Sequence, residues 1–263
     1  MIASGRVPLL LLLLLPVVAA LAATAEKVVD IPTRSGVTQR MLVLSPPESK
    51  AVAILFAGGH GGLQIAPDGA LAWGKGNFLV RSRTLFADQG FMTIVLDAPS
   101  DRQHAPFLGG FRQTADHAAD VRAVIAWARM QSNAPVWLVG TSRGTQSVAY
   151  LATELSGTAG PDGIVLTSTI LRDDKGRAVP AMPLAKFRLP VLVVHHENDG
   201  CTACRFNDIP SLMDKLGASP RKQLIVMSKG ENRGDPCEAF AFHGFNGLEH
   251  DVVGQIAAWI LAK

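Results

Sequence analysis

Apolar positions along the chain follow two different periods. Several short runs are apolar at every position, as in residues 51–56 (AVAILF), which is typical of parallel strands covered on both faces. The runs that we assign to strands are residues 28–31, 41–44, 51–56, 91–96, 136–139, 163–167, 191–195 and 223–227. Strands of this kind that alternate with helices predict an α/β protein with a mostly parallel, twisted sheet.

The segments between the strands carry helical spacing. Around residues 118–128 the apolar positions fall three and four residues apart, with charged residues on the other face. The predicted helices are residues 78–89, 118–128, 144–155 and 252–260. We find no internal repeat and no low-complexity linker after the N-terminal segment, so residues 26–263 are predicted to form a single domain.

Residues 1–25 have the composition of a secretory signal peptide. Arg6 precedes an unbroken run of leucine at residues 9–15, and the segment ends in small residues with A-x-A spacing. We therefore expect cleavage and a secreted or periplasmic product with no stable membrane span. An uncleaved anchor is the alternative, but the apolar stretch is shorter than the roughly 20 residues that a spanning helix needs.

Composition and charge narrow the class of partner. The chain of 263 residues is 48% hydrophobic, which disfavours a disordered or fibrous protein. Its 25 Lys and Arg against 22 Asp and Glu give a net charge of +3, too small to indicate a nucleic-acid-binding groove. A small neutral or weakly anionic molecule is the expected partner.

Ser142 is the candidate nucleophile. It lies in the pentapeptide GTSRG at residues 140–144, between a predicted strand and a predicted helix. In that setting G-x-S-x-G forms a sharp strained turn that presents the serine hydroxyl above the sheet. The bare pattern is a weak signal and a purely structural turn is the alternative, but the strand before it and the helix after it favour catalysis.

A serine hydroxyl needs a base that takes its proton and an acid that orients that base. Asp199 follows the seventh predicted strand and is the candidate acid, with Glu197 as the alternative. His243 lies before the closing helix, where Gly244 lets the chain bend, and is the candidate base. His250 is the alternative base, although it lies where that helix is expected to begin.

The glycine-rich residues 57–62 are the candidate oxyanion loop. The backbone N–H group of Gly59, His60 or Gly61, together with that of Arg143 after the nucleophile, would stabilise the developing negative charge. The segment has neither the G-x-G-x-x-G nor the Walker pattern, so a nucleotide cofactor is disfavoured.

Other side chains could line a substrate pocket. Arginines that could hold a substrate anion are Arg102, Arg112 and Arg143, and aromatic residues that could wall an acyl pocket are Trp73, Phe107 and Phe111. For Arg143 an ion pair with a neighbouring acid is the simpler interpretation, and isolated aromatic residues are more often packing residues.

The three cysteines allow one disulfide and one free thiol in an exported protein. We favour Cys201–Cys237, because that bridge would join the loop of Asp199 to the stretch before His243. A local Cys201–Cys204 bridge stays open. A zinc site made of the three cysteines and His196 is a weaker alternative in an oxidising compartment.

Together these motifs resemble the α/β-hydrolase family. The order Ser142, Asp199, His243 matches that family's nucleophile, acid and base, and the GGHG segment at residues 58–61 resembles its oxyanion loop. The FHGF segment at residues 242–245 is similar to the histidine segment of small secreted or dienelactone-hydrolase-like members. Dienelactone hydrolases use a cysteine nucleophile, so the serine here leaves lactone specificity open.

The resemblance implies an α/β-hydrolase fold and an exported serine hydrolase that cleaves a carboxylic ester, thioester or lactone through an acyl-enzyme. No metal or other cofactor is expected, and the segment at residues 167–189 is too short for a large lid. The alternative is a non-catalytic binding or scaffold protein that retains the fold. The physiological substrate and the oligomeric state are left open.

Overall fold

An eight-stranded sheet forms the centre of the structure, a computed structural model that describes residue 1, residues 24–174 and residues 176–262. Its strands are β1 Glu26–Arg34, β2 Val37–Leu44, β3 Ala51–Phe56, β4 Phe91–Leu96, β5 Val136–Thr141, β6 Gly163–Thr167, β7 Val191–His196 and β8 Lys222–Met227. Their order across the sheet is β1-β2-β4-β3-β5-β6-β7-β8. Strand β2 is antiparallel to both its neighbours, and the other pairs are parallel. The predicted mostly parallel sheet is confirmed.

Helices cover both faces of the sheet. They are α1 Phe78–Arg81, α2 Arg83–Asp88, α3 Ala115–Gln131, α4 Gly144–Glu154, α5 Ile209–Lys215 and α6 Glu249–Leu261. Apolar residues of α3, α4 and α5 form one buried cluster with the sheet, and those of α1, α2 and α6 form a second cluster on the opposite face. The continuous apolar strands of the sequence therefore contact helices on both sides.

Several predicted boundaries differ from those of the structure. The single helix at residues 78–89 is two short helices, because the backbone of Ser82 leaves helical geometry with a ψ of 4°. Strand β5 runs on through Thr141, which pairs with Thr167 of β6, whereas apolarity alone ended it at residue 139. Strands β1 and β2 are longer than predicted, since their pairing extends over polar residues.

The carboxyl ends of the parallel strands lie at one edge of the sheet, and the loops that leave them carry the candidate chemistry. Between β6 and β7 the described residues contain only two short 3-10 turns, Val179–Ala181 and Leu184–Lys186. The absence of a large lid agrees with the prediction, and this edge of the sheet stays open.

The predicted signal segment, residues 1–25, lies almost entirely outside the described residues. Among the residues that the structure does describe, none of the helices has both the length and the apolar character needed to cross a bilayer.

Candidate active site

Ser142 occupies a strained turn between β5 and α4. Its φ is +51°, a left-handed conformation that non-glycine residues rarely adopt. The Ser142 N–H donates to the carbonyl of Thr167 at 3.0 Å, and its own carbonyl accepts from Thr145 N–H at 2.9 Å. A Cβ on Gly144 would overlap the carbonyl oxygen of Phe56, so this position requires glycine. The strained serine is the arrangement that the G-x-S-x-G pattern predicted.

Asp199 and His243 form a buried hydrogen-bonded pair. The loop after β7 places the Asp199 carboxylate 2.9 Å from Nδ1 of His243, and both side chains are at most 5% exposed. The second carboxylate oxygen accepts from the backbone N–H of Cys201 at 2.9 Å. A carboxylate at Nδ1 fixes the imidazole tautomer with its proton on that nitrogen, which leaves Nε2 free to accept one.

His243 lines the same cleft as Ser142. His243 Nε2 is buried and has no hydrogen-bond partner among the described residues. Ser142, His243 and Gly59 all line one cleft of about 640 Å³. Because His243 Nε2 has no partner, it is not hydrogen-bonded to the Ser142 hydroxyl; such bonds often form only when substrate is present. A histidine with an unpartnered nitrogen that lines the same cleft as a strained serine is an arrangement that nucleophilic catalysis can use.

The alternative acid and base lie elsewhere. Glu197 is exposed and precedes the turn that carries Asp199. His250 is exposed in the first turn of α6 and does not line the cleft. The structure therefore brings together Ser142, Asp199 and His243 and leaves the two alternatives outside.

Two contacts that the sequence did not reveal hold the histidine loop. Ser168, at the end of β6 with a φ of +42°, donates its hydroxyl to the carbonyl of His243 at 2.6 Å. Arg81 donates to the carbonyl of Gly244 at 2.6 Å and pairs with Glu249 at 2.8 Å. The sequence could have marked Ser168 as a residue of the site, because it directly follows a strand. Nothing in the sequence distinguishes Arg81 from other arginines on helices.

Two backbone N–H groups are available as an oxyanion hole. Gly59 and Arg143 line the cleft, and no described residue accepts a hydrogen bond from the N–H of either. His60 instead lines a neighbouring cavity of about 530 Å³ and stacks its ring on Trp73 and Phe107, with centroids 3.8 and 4.4 Å away. The backbone N–H groups of Gly59 and Arg143 are therefore better placed than that of His60 to donate to an oxyanion in the cleft.

Asp97 fixes the far end of the oxyanion loop. Its buried carboxylate accepts from the backbone N–H groups of Leu63, Gln64 and Ile65 at 2.7 to 3.0 Å. Charge-assisted bonds of this type are stronger than neutral ones. The chain that follows β3 is thus held firmly at its carboxyl-terminal side.

The arginines and aromatic residues that the sequence suggested for a substrate pocket occupy different positions in the structure. Trp73 lines the cleft, whereas Phe107 packs on His60 and Phe111 is buried against the ring of His117. Arg102 lies over the ring of Phe111, and its guanidinium lines neither cavity. Arg143 pairs with Asp173 at 3.0 Å, as the simpler interpretation expected. An acyl-pocket role for Phe107 and Phe111 and an anion-binding role for Arg102 find no support in these positions.

The cysteines form the bridge that the sequence favoured. Cys201 and Cys237 are joined by a disulfide, and Cys204 is a buried free thiol whose pKa is raised by burial. The predicted alternatives are therefore wrong: Cys201 does not bond to Cys204, and a zinc site of three cysteines with His196 would need the thiolate of Cys237 that the disulfide removes. His196 is instead hydrogen-bonded through Nε2 to the carbonyl of Lys229 at 2.8 Å.

Loss of the disulfide should destabilise the wall of the cleft. The bridge closes a loop over a sequence separation of 36 residues, for which chain entropy gives about 4 kcal/mol of stability. We expect Cys237→Ser to lower the free energy of unfolding by about 2–4 kcal/mol, measured by denaturant titration. Reductant should then lower the stability of the wild type and leave that of Cys237→Ser unchanged; an equal response of both would contradict the prediction.

Comparison with known proteins gives the fold. No family profile matches the chain, and no curated protein matches it by sequence. Many solved structures do match it in three dimensions.

Three of these structures illustrate the likeness. A cold-adapted esterase from an Arctic intertidal metagenomic library has a TM-score of 0.61 at 16% identity, over 90% of this chain and 94% of its own. The dienelactone hydrolase of Anabaena variabilis has a TM-score of 0.61 at 15% identity, with coverages of 91% and 98%. An α/β serine hydrolase without a lid from Xanthomonas campestris has a TM-score of 0.57 at 18% identity, with coverages of 91% and 95%. At these identities the likeness establishes the α/β-hydrolase fold.

Proposed function

We propose that this α/β-hydrolase-fold protein is an exported serine hydrolase that cleaves carboxylic esters through an acyl-enzyme on Ser142. The observation that carries the proposal is the buried, unpartnered Nε2 of His243, whose other ring nitrogen is bonded to Asp199 and which lines the same cleft as the strained Ser142. The buried His117 and His195 also have one ring nitrogen without a partner among the described residues, but neither of them lines the cleft that holds Ser142, whereas His243 does.

The proposed reaction has two halves. In the first, His243 Nε2 accepts the Ser142 hydroxyl proton as Oγ attacks the ester carbonyl. The resulting oxyanion accepts hydrogen bonds from the backbone N–H groups of Gly59 and Arg143. The protonated imidazole, stabilised by Asp199, then gives its proton to the departing alcohol. In the second half, His243 deprotonates a water that attacks the acyl-enzyme, and Ser142 regains its proton as the acid leaves.

The cleft favours small and medium-sized esters. Its volume of about 640 Å³ lies within the usual range for sites that hold small molecules. Apolar side chains of Trp73, Ile170 and Phe240 contribute to the lining, with Arg233 and Glu238 also present. Solved neighbours named as esterases favour an ester over a thioester or an amide.

A panel of nitrophenyl esters tests this function. We expect the purified protein to hydrolyse the acetate, butyrate and hexanoate at least about tenfold faster, in kcat/KM, than the palmitate, because the open cleft is of small-molecule size. The measurement is nitrophenol release at fixed pH. If the protein turns over none of these esters, the non-catalytic binding alternative replaces the proposed function.

Export is part of the proposal and rests on the N-terminal sequence together with the disulfide, which persists in oxidising compartments. Expression of the full chain in a bacterial host, followed by fractionation and intact-mass measurement, tests it. A periplasmic or extracellular product that lacks the first 22, 23 or 25 residues supports export. A product that retains these residues in the membrane fraction would favour the uncleaved anchor.

A further inference from the structure

Arg112 is a buried arginine that contacts the oxyanion loop. It lies in the loop before α3 and is 5% exposed. Its guanidinium donates from Nη2 to the carbonyls of Ala57 at 3.0 Å and Gly59 at 3.2 Å. From Nη1 it donates to the hydroxyl of Ser147 on α4 at 3.1 Å. One side chain thus links the oxyanion loop to the helix that follows the nucleophile.

The carbonyls that Arg112 binds belong to the two peptides that flank the Gly58–Gly59 peptide, which carries the candidate donor N–H of Gly59. The same loop also makes a backbone contact, since Leu108 N–H donates to the carbonyl of His60 at 3.0 Å. The carbonyls of Ala57, Gly59 and His60 are therefore all fixed from one side. Fixing the carbonyls of the neighbouring peptides restrains the Gly58–Gly59 peptide between them, which favours one orientation of the Gly59 N–H.

Arg112 has no acidic partner. No described carboxylate lies within 4.0 Å of its guanidinium, whereas the nearby Arg143 is paired with Asp173. Burial, with a further effect of Arg143, lowers the pKa of Arg112 to about 9, so the side chain is still charged at neutral pH. A buried cation without a counter-charge is unfavourable in the resting protein, and it would stabilise a negative charge that develops nearby.

We propose that Arg112 is a positioning residue for the oxyanion hole. It holds the peptides around Gly59 so that the N–H of Gly59 faces the oxyanion. The charge of its guanidinium, which has no acidic partner among the described residues, also favours that oxyanion. This inference rests on the proposed ester hydrolysis. As a positioning residue, Arg112 does not contact the substrate. It acts through the loop at residues 57–60.

The test separates transition-state binding from folding. For Arg112→Gln we expect kcat/KM for nitrophenyl butyrate to fall about 100-fold, the size of effect seen when one oxyanion donor is lost. A trifluoromethyl ketone, whose serine adduct carries the oxyanion, should lose affinity by a similar factor. Binding of butyramide, a neutral ligand that forms no oxyanion, should change by less than about threefold. Arg112→Lys keeps the charge with fewer directed bonds and should lose about tenfold.

Arg221 supplies a matched control. It too donates to two backbone carbonyls, those of Ala262 at 2.7 Å and Trp259 at 3.2 Å. The Nε atoms of Arg112 and Arg221 are both buried and have no hydrogen-bond partner among the described residues. Arg221 lies at the far end of the fold, beside the end of α6. Arg221→Gln should lower the Tm and leave kcat/KM per folded molecule unchanged. Hydrogen exchange of residues 57–63 should accelerate in Arg112→Gln and not in Arg221→Gln.

The outcomes distinguish the two proposals. If the wild type hydrolyses esters but Arg112→Gln keeps its kcat/KM and its ketone affinity, the role of Arg112 is overturned and the proposed function stands. If Arg112→Gln loses activity only in proportion to its folded fraction, with unchanged exchange at residues 57–63, Arg112 is merely structural and the inference is also overturned. If the wild type is inactive, the proposed function itself fails, and the positioning role fails with it.

Discussion

Replacing Ser142 with alanine is expected to lower kcat for nitrophenyl butyrate by about 10⁴- to 10⁶-fold, the scale on which loss of a serine nucleophile acts in comparable enzymes. No other described hydroxyl has the same combination of a left-handed backbone and a place in the cleft beside His243. The variant removes the hydroxyl and leaves the turn intact, so the Tm should change little or rise, because alanine removes only one exposed polar atom. Turnover and Tm are measured on the same preparation.

Ser219 provides the control for this substitution. Its hydroxyl, which has one proton to donate, lies 2.7 Å from the carbonyl of Leu189 and 2.9 Å from that of Arg221, away from the cleft. Ser219→Ala should retain the wild-type kcat while losing about 1 kcal/mol of stability, the usual contribution of one hydrogen bond. Residual activity in Ser142→Ala within about tenfold of the wild type would mean that this serine is not the nucleophile.

The second large effect distinguishes the two candidate bases. We expect His243→Ala to lower kcat by about 10⁴- to 10⁶-fold, since nucleophile and base act as one unit and each alone costs nearly as much as both. His250→Ala should leave kcat within about twofold of the wild type, because an exposed surface substitution away from the site has little effect. Both are followed by initial rates of nitrophenol release.

The double variant makes this comparison sharper. Ser142→Ala with His243→Ala should be no slower than Ser142→Ala alone, because the base has no proton to take once the hydroxyl is gone. Losses that multiply in the double variant would show that His243 acts on something other than Ser142. Loss of activity in His250→Ala with retention in His243→Ala would transfer the role of base to His250.

The layout of the fold could be predicted because parallel strands leave a strong sequence signal. A strand covered on both faces must be apolar at every position, so runs such as residues 51–56 are visible without a structure. Ser142 and Asp199 could be selected because each follows such a run, and the carboxyl ends of parallel strands converge at one edge. The bridge from Cys201 to Cys237 could be favoured for the same reason, since it joins loops at that edge.

Residues whose role depends on a distant partner could not be predicted. Arg112 is one of 25 basic residues, and only the folded chain shows that its guanidinium meets the carbonyls of Ala57 and Gly59, more than 50 positions away. Arg81 likewise reaches the carbonyl of Gly244 across 163 positions. Hydrogen bonds from a polar side chain to a distant backbone carbonyl leave no pattern in the sequence. Apolar periodicity involves neighbouring positions, so it can be detected in the sequence alone. The interruption of the helix at Ser82, between α1 and α2, could not be predicted, because the apolar spacing of residues 78–89 continues across it.

The most direct test of an activated serine at Ser142 is the intact mass of the protein after exposure to a fluorophosphonate. We expect one phosphonyl adduct per chain in the wild type, mapped to the peptide that contains Ser142, and no adduct in Ser142→Ala, with labelling strongly slowed in His243→Ala. No adduct on the folded, oxidised wild type, or an equal adduct on Ser142→Ala, would contradict it.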